Sequence, residues 1–181
     1  PRLVYISSGA VYGDKRQYPC KSSDTVVAND IYSRAKLINE DIVLASGGAV
    51  ARLANVYGEG MAASNVISDI IAQIPAADSL KVRDETPIRD YLHVNDLVQA
   101  LEKFASSDYC GIINIATGVG TSVRRVAEIA LSAAGQAGRQ IVSSGSMKRA
   151  VSTNILDITE ANSVLGWVPK IGLVDGLTEL V

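Results

Sequence analysis

Short apolar runs alternate with longer amphipathic stretches along this chain. Three runs have the pattern of short buried strands, since each is followed by small or polar residues: Leu3 to Ile6, Ala49 to Leu53 and Ile112 to Ala116. The stretch from about Asp30 to Ala45 predicts a helix, with Asn29 or Asp30 as its cap and Ser46-Gly47-Gly48 as its stop. A strand, a helix and a strand in this order predict an α/β fold with a doubly wound parallel sheet.

Later segments continue the alternation without an internal repeat or a linker. Further helices are predicted for Asn65 to Gln73, Val94 to Phe104, Ser122 to Ala134 and Thr159 to Leu165, with an extended piece at Leu80 to Arg83. The polar stretch from Gly13 to Asp30 is predicted to be a surface loop. We therefore expect residues 1–181 to form a single compact unit.

Composition narrows the class of protein. The 181 residues, 48% of them hydrophobic, suffice for one globular domain with a sizeable core. Seventeen basic and 19 acidic residues give a net charge of -2, without the basic stripe that nucleic-acid binding needs. No apolar run approaches the roughly 20 residues of a membrane span, and no signal-peptide pattern is present. We expect a soluble protein that binds neither nucleic acid nor membrane.

The two cysteines and the first residues add three expectations. Cys20 and Cys110 are isolated, so the sequence indicates neither a metal site nor a disulfide framework. A reduced, cytoplasmic protein is the default for such cysteine usage. The chain opens on Pro1-Arg2 without an initiator methionine, which predicts a preceding segment.

Candidate chemistry comes from a hydroxyl, a phenol and an amine near the beginning of the chain. Ser8 follows the first predicted strand, and Tyr32 and Lys36 lie four residues apart on one face of the first predicted helix. A nearby ammonium favours the phenolate, so Lys36 could make Tyr32 a general acid or base. The Ser8 hydroxyl could then share a hydrogen bond with a substrate oxygen. The alternative is an ordinary amphipathic helix that carries a Tyr and a Lys.

Four motifs in order resemble the extended short-chain dehydrogenase/reductase family, specifically its NAD-dependent nucleotide-sugar epimerases and dehydratases. The motifs are SSGAVYG with Ser8, YSRAK with Tyr32 and Lys36, RLANVYG with Asn55, and IRDYLHV with Arg89. The resemblance extends from Leu3 to about Gly176 and matches the C-terminal part of a full family member. It implies the C-terminal half of a Rossmann-type sheet in residues 1–60, and a small α/β nucleotide-sugar-binding portion, with some return to that sheet, in residues 61–181.

The resemblance also implies roles for particular residues. The catalytic residues would be Ser8, Tyr32 and Lys36. The cofactor would be NAD, with NADP left open, and it would be bound by Tyr32, Lys36 and Ala54. The nucleotide-diphosphate sugar would be bound by Ser8, Asn55, Asn65, Arg83, Arg89 and Arg149. Arg89 offers forked donors that match phosphate oxygens. The alternative to substrate binding for Arg89 is a structural salt bridge with Asp90 or Asp84. For Asn55 the alternative is a turn-forming residue.

The chain departs from the family pattern at several places. Gly9-Ala10 replace the acidic residues of sugar 4,6-dehydratases and decarboxylases, which disfavours those activities. Arg83 stands where galactose epimerases commonly stack an aromatic ring, so the nucleotide base is open. The late basic residue matches only approximately, at Lys148 or Arg149. Gly118-Val119-Gly120 fails as a dinucleotide fingerprint, because no third glycine follows at the right spacing and no acidic ribose ligand lies downstream.

Two single aromatic residues are predicted to be structural. His93 is the only histidine, and we expect a packed or hydrogen-bonded side chain, since the family's acid/base group is Tyr. Trp167 follows Leu165-Gly166 and is expected in the core.

Three functions follow from the resemblance. The first is a nucleotide-sugar 4-epimerase that uses NAD. The second is a nucleotide-sugar 4-ketoreductase that consumes NAD(P)H, and the third is a truncated, non-catalytic domain that binds nucleotide sugar. The family also suggests a homodimer of the full-length protein, formed through the Tyr-Lys helix.

Overall fold

A computed structural model describes residues 3–14, 19–76, 78–145 and 151–181. The strands are β1 (Val4–Ser8), β2 (Ala49–Leu53), β3 (Asn55–Tyr57), β4 (Leu80–Val82), β5 (Ile88–His93), β6 (Ile112–Ile115), β7 (Gly120–Ser122), β8 (Ile141–Ser143) and β9 (Thr153–Asn154). The helices are α1 (Ile31–Ala45), α2 (Val66–Ala72), α3 (Val94–Ser106), α4 (Val123–Ala133), α5 (Thr159–Leu165) and α6 (Leu173–Thr178). A 3-10 turn covers Gly9–Tyr12.

The first sheet is parallel, with strand order β1-β2-β6. Strand β2 is buried at four of its five positions, as expected for a central strand covered on both faces. Helix α1 is the crossover from β1 to β2, and Asp30 caps it by accepting a hydrogen bond of 2.8 Å from the Ser33 amide. The parallel α/β prediction is confirmed. The carboxyl ends of these strands therefore lie at one edge, where open α/β sheets bind ligands.

The second sheet is built around β5. Its carboxyl half pairs in parallel with β3, and its amino half pairs with β9 in parallel and with β7 antiparallel. Strands β4 and β8 form a separate parallel pair. A second apolar core lies between these strands and helices α2, α4 and α6; its most buried members include Ile67, Ile70, Leu80, Val126, Ala130 and Leu177.

The predicted helices are all present, with ends that differ by a few residues. The sequence pattern indicated no strand at β5, because Arg89 and Asp90 interrupt its apolar residues. Strands β3, β7, β8 and β9 have two or three residues each. Such short strands exist only through pairing with distant segments, and a local pattern cannot reveal them.

Two further expectations can be compared with the described residues. Among them, none lies in a helix with the length and apolar character needed to cross a membrane. Cys20 is buried, Cys110 is exposed, and no disulfide joins these two residues.

Candidate active site

Ser8 is the last residue of β1 and lies at the carboxyl edge of the first sheet. Its Oγ accepts a hydrogen bond of 3.2 Å from the Ala10 amide and so begins the 3-10 turn. Ser8 is in register with Leu53 of the neighbouring strand, and Ala54 follows directly. The Ala54 amide donates to the Ile115 carbonyl at 3.1 Å, so this residue continues along the same edge. The predicted positions Ser8 and Ala54 therefore share one edge of the sheet.

Tyr32 and Lys36 lie on the first turns of α1. The Tyr32 side chain is 55% exposed, and the Lys36 Nζ lies 5.6 Å from the centre of its ring. The same Nζ donates a hydrogen bond of 2.8 Å to the carbonyl of Ile6, two residues before Ser8. The structure therefore joins the amine both to the phenol and to the strand that carries the hydroxyl.

The start of α1 is held by Asp30. Its carboxylate accepts hydrogen bonds from the amide and the hydroxyl of Ser33, at 2.8 and 3.1 Å. The pKa of Asp30 is lowered below its ordinary value, and the hydrogen bond from the Ser33 amide makes the largest contribution to this shift. The cap therefore remains charged at neutral pH, and it orders the turn that presents Tyr32.

Arg89 lies on β5, and its guanidinium is already oriented by the protein. Nη1 donates to the carbonyls of Ile88 and Ser152, both at 2.9 Å, and Nη2 donates to the Ser152 Oγ at 2.7 Å. The ion-pair partner is Asp14, at 3.6 Å from Nη2. The sequence alternative for Arg89 was a salt bridge with Asp90 or Asp84; the ion pair found among the described residues is with Asp14, and the Asp90 carboxylate is bound by Thr117 and Gly118.

Asp90 joins β5 to the edge of the first sheet. This buried carboxylate accepts hydrogen bonds from the Thr117 amide at 2.9 Å, the Thr117 hydroxyl at 2.6 Å and the Gly118 amide at 2.8 Å. Burial raises its pKa, although these hydrogen bonds act in the opposite direction. Because Thr117 and Gly118 follow β6, the contact attaches β5, the strand that carries Arg89, to the carboxyl end of the first sheet. Gly118, with a φ of +76°, forms this turn.

The predicted substrate residues occupy different surroundings. Asn55 is exposed at the start of β3, in register with Tyr91, so that it shares a face of the sheet with Arg89. Asn65 caps α2: its Oδ1 accepts from the Ile67 amide at 2.9 Å, and its Nδ2 donates to the Val56 carbonyl at 3.2 Å. Arg83 is exposed just after β4. Arg149 and Lys148 lie outside the described residues.

Asn154 was not indicated by any sequence motif. Its buried Nδ2 donates to the carbonyls of Gly9 at 2.9 Å and Gly13 at 3.2 Å, at the two ends of the turn after Ser8. The same residue is in register with Arg89. Strand β9 therefore contacts both the Ser8 turn and the strand of the candidate phosphate ligand. Nothing in the local sequence reports this contact, because its partners are more than 60 residues away.

His93 and Trp167 are structural, as expected. The Nδ1 of His93 accepts a hydrogen bond of 3.3 Å from the Asn95 amide, and its ring packs edge-on against Tyr57. Both His93 and Trp167 are 3% exposed. The predictions for these two side chains are confirmed.

Comparison with known proteins gives the family. The sequence pattern of the NAD dependent epimerase/dehydratase family matches residues 1–116. A putative UDP-glucose 4-epimerase of Methanocaldococcus jannaschii is 30% identical over 99% of this chain and 62% of its own length. The chain belongs to the NAD-dependent epimerase/dehydratase family. It spans about three fifths of the length of that curated relative.

Two solved structures have the same fold as this chain. The RMD protein of Pseudomonas aeruginosa, solved with NADPH, has a TM-score of 0.91 and 26% identity over 98% of this chain and 64% of its own. The UDP-glucose 4-epimerase of Thermotoga maritima, solved with UDP-glucose, has a TM-score of 0.87 and 26% identity over 98% of this chain and 61% of its own.

Proposed function

We propose that the full-length protein is an NAD-dependent nucleotide-sugar 4-epimerase. The observation that carries this proposal is the placement of Lys36 between the phenol of Tyr32 and the strand that ends in Ser8. Support also comes from the contact of Asp90 with the end of β6, which attaches β5, the strand of the candidate phosphate ligand Arg89, to the same edge. An acid/base group and a group that binds anions are both needed for chemistry on a sugar nucleotide.

The residues at this edge fit the nicotinamide end of NAD. The Tyr32 phenol is exposed, and Ala54, which follows β2, lies at the edge where the ends of parallel strands bind ligands. Tyr32, Lys36 and Ala54 would hold the cofactor there. When bound, NAD would supply the hydride acceptor and donor for the sugar C4.

Each catalytic side chain has a separate task. Tyr32 removes the proton of the sugar 4-hydroxyl. It returns the proton to the same oxygen after the 4-keto sugar has rotated to present its other face. Lys36 stabilises the phenolate before the first of these steps and after the second. The Ser8 hydroxyl holds the sugar oxygen as its proton leaves and as charge develops on it.

The substrate would be held mainly through its diphosphate. Arg89 provides guanidinium donors for phosphate oxygens, and Asn55 lies on the same face of the sheet. Asn65, Arg83 and Arg149 remain predicted contacts. Asn65 would have to contribute while it caps α2, and Arg83 would stack on the base. Gly9-Ala10 supply no carboxyl group for dehydration or decarboxylation, which favours epimerisation.

A nucleotide-sugar 4-ketoreductase is the second candidate. It would use Ser8, Tyr32 and Lys36 in the same roles, but each turnover would consume one reduced cofactor. The NADPH in the structure of the Pseudomonas aeruginosa relative supports this alternative. Absorbance at 340 nm distinguishes the two, since an epimerase causes no net change in cofactor, whereas a 4-keto sugar with NADPH lowers the absorbance in a reductase.

Replacement of Tyr32 tests the assignment. We expect Tyr32→Phe to lower kcat by about 100-fold or more, because it removes the general acid/base group. Tyr5→Phe is the matched control: its ring also lies close to the Lys36 Nζ, at 5.0 Å, but it has no role in the proton transfer. Near-normal turnover by Tyr32→Phe would contradict the proposal.

The non-catalytic alternative is tested with the 181-residue chain itself. Calorimetry with NAD and with a nucleotide sugar separates the two binding functions. Binding of the nucleotide sugar alone would support a domain that recognises sugar nucleotides without dinucleotide. Binding of NAD would support the catalytic assignment.

A homodimer is the expected assembly of the full-length protein. Helix α1 exposes Ile31, Ile38 and Ile42 to 86%, 60% and 61%, and Ala35 lies between them at heptad-like spacing. A second copy would present the same stripe, which suits a two-fold symmetric helix pair. Sedimentation of the protein and of Ile38→Lys would test this, since the charge should shift the population toward monomer.

A further inference from the structure

A buried ion pair connects α1 to the middle strand of the first sheet. Glu40 of α1 and Arg52 of β2 are 2% and 4% exposed. The Arg52 Nη2 lies 2.6 Å from Glu40 Oε2, and its Nε lies 3.1 and 3.2 Å from the two carboxylate oxygens. Burial alone would lower the pKa of Arg52, but the hydrogen bonds and charge of Glu40 outweigh it, and the net pKa is raised. Arg52 is thus a permanent charge held by Glu40.

The pair belongs to a polar row that crosses the sheet. Ser7 of β1 is in register with Arg52, and Arg52 is in register with Asn114 of β6. All three side chains are buried. In register across parallel strands, they lie in one row, one residue before the edge formed by Ser8, Leu53 and Ile115. The row therefore lies directly beneath the candidate active site.

Two adjacent residues of β1 form hydrogen bonds with two successive turns of α1. The Lys36 Nζ donates to the carbonyl of Ile6, and the Ser7 hydroxyl donates a hydrogen bond to Glu40 Oε1. Tyr32, Lys36 and Glu40 are spaced by four residues, so they follow one stripe of the helix. Attachment at two points along this stripe fixes both the rotation and the translation of α1 relative to Ser8.

The row also holds the turn that follows Ser8. The Arg52 Nη1 donates to the hydroxyl of Tyr12 at 3.0 Å and to the carbonyl of Ser22 at 3.2 Å. The Tyr12 hydroxyl in turn donates to Asn114 Oδ1 at 2.7 Å. One guanidinium is therefore bound to the helix that carries Tyr32 and to the turn that begins at Ser8.

Stability does not require an ion pair in this place. Two charges lose their hydration on burial, and a well-packed apolar pair of similar volume is often equally or more stable. What an apolar pair lacks is direction, because guanidinium and carboxylate hydrogen bonds specify angles as well as distances. The pair is therefore suited to setting a geometry.

We infer that Glu40 and Arg52, with Ser7, are positioning residues that set the place of Tyr32 and Lys36 relative to Ser8. This inference rests on the proposed function, because it assigns the geometry a catalytic purpose. None of the three is expected to touch the substrate. Their effect reaches the reaction through α1 and through the Ser8 turn.

The test replaces the pair without leaving a buried charge. In the full-length protein, Glu40→Met combined with Arg52→Met keeps similar volume and removes both charges. We expect a protein that folds with a similar unfolding midpoint, a kcat lower by about 10- to 100-fold, and a KM for the nucleotide sugar changed by less than about threefold. Amide hydrogen exchange in residues 31–37 should be about tenfold faster, with no change in α4.

A matched control carries the same change elsewhere. Arg124 and Glu128 form a helix ion pair of 3.1 Å on α4, outside the site, and Arg124 also pairs with Glu85 at 2.7 Å. Arg124→Met combined with Glu128→Met should leave kcat, KM and the exchange of residues 31–37 as in the parent protein. A kcat loss in this control equal to that in the Glu40/Arg52 variant would overturn the inference.

The remaining outcomes are also decisive. A folded Glu40/Arg52 double variant with unchanged kcat and unchanged exchange in residues 31–37 overturns the inference, as does faster exchange throughout the protein. If the parent protein has no turnover, the proposed function fails, and exchange in α1 alone decides whether the pair holds this helix. If the double variant does not fold, Arg52→Lys decides: it keeps the charges balanced but removes the fork, and unchanged exchange in residues 31–37 would overturn the inference.

Discussion

The two sides of the candidate site are held in different ways. On the side of the first sheet, Tyr32, Lys36 and Ser8 come from segments close in sequence, and the buried Glu40–Arg52 pair lies beneath them. On the side of β5, Arg89 is partly exposed and is oriented by Ser152, 63 residues later in the chain. The proposed acid/base group is therefore attached to segments that lie near it in the sequence. The part expected to recognise the substrate depends on distant segments.

The difference suggests separate constraints on reaction and recognition. A phenol that exchanges a proton with the substrate must keep its position within fractions of an ångström. A guanidinium that binds a flexible diphosphate tolerates adjustment on binding. Mutations on the two sides should therefore change different measured quantities.

The largest effect is expected from breaking the buried pair on the first side. Arg52→Leu leaves the carboxylate of Glu40 buried without its partner and should lower the free energy of unfolding by about 3 to 5 kcal/mol. Arg124→Leu, which removes the ion pairs of this exposed side chain with Glu85 and Glu128, should cost at most about 1 kcal/mol. Urea unfolding of both variants measures the contrast, and equal losses would contradict the proposed difference in burial.

The junction between the two sides should show the next largest effect. Asp90→Ala removes the acceptor of the Thr117 and Gly118 amides and should cost about 2 to 3 kcal/mol in unfolding free energy. Binding of UDP, measured by calorimetry, should weaken as well, because Arg89 loses its attachment to the edge. Asp41→Ala, at an exposed position of α1, serves as the control. Intact UDP binding by a folded Asp90→Ala variant would show that the junction does not place Arg89.

On the recognition side alone, the expected effect is on affinity. Arg89→Lys keeps the charge but loses the donors that bond Ser152 and the remaining guanidinium donors that would meet phosphate oxygens, so the Kd for UDP should rise by about tenfold, or 1.4 kcal/mol. Arg125→Lys, at an exposed arginine of α4, should leave the Kd unchanged. A kcat of Arg89→Lys that changes little at saturating substrate would show that this side of the site affects binding and not the reaction. An unchanged Kd would remove Arg89 from the substrate site.

The smallest effect concerns the first turn of α1. The lowered pKa of Asp30 means that its cap stabilises the folded state above the ordinary Asp pKa of about 3.9 and that this contribution is lost as the pH falls through the lower pKa of the folded state. Asp30→Ala should therefore lower the unfolding midpoint at pH 7 and have a progressively smaller effect toward pH 2. A difference that grows on acidification would contradict the cap.

The sequence by itself determined the local parts of this protein. The order of strands and helices follows from apolar periodicity, and the cap at Asp30 and the four-residue spacing of Tyr32 and Lys36 are properties of one helix. The family resemblance rested on such local motifs, and the family is confirmed. These features could be predicted because each depends on residues within a few positions of one another.

Only the tertiary structure decided how the local parts meet. The strand character of β5, the contact of Asp90 with the end of β6, and the attachment of Asn154 to the Ser8 turn all depend on residues distant in the sequence. Glu40 and Arg52 gave a weaker signal, as charged residues at apolar positions of a helix and a strand, but their pairing required the sheet register. Buried polar groups must find partners, and the chain satisfies them across long sequence separations that no local pattern records.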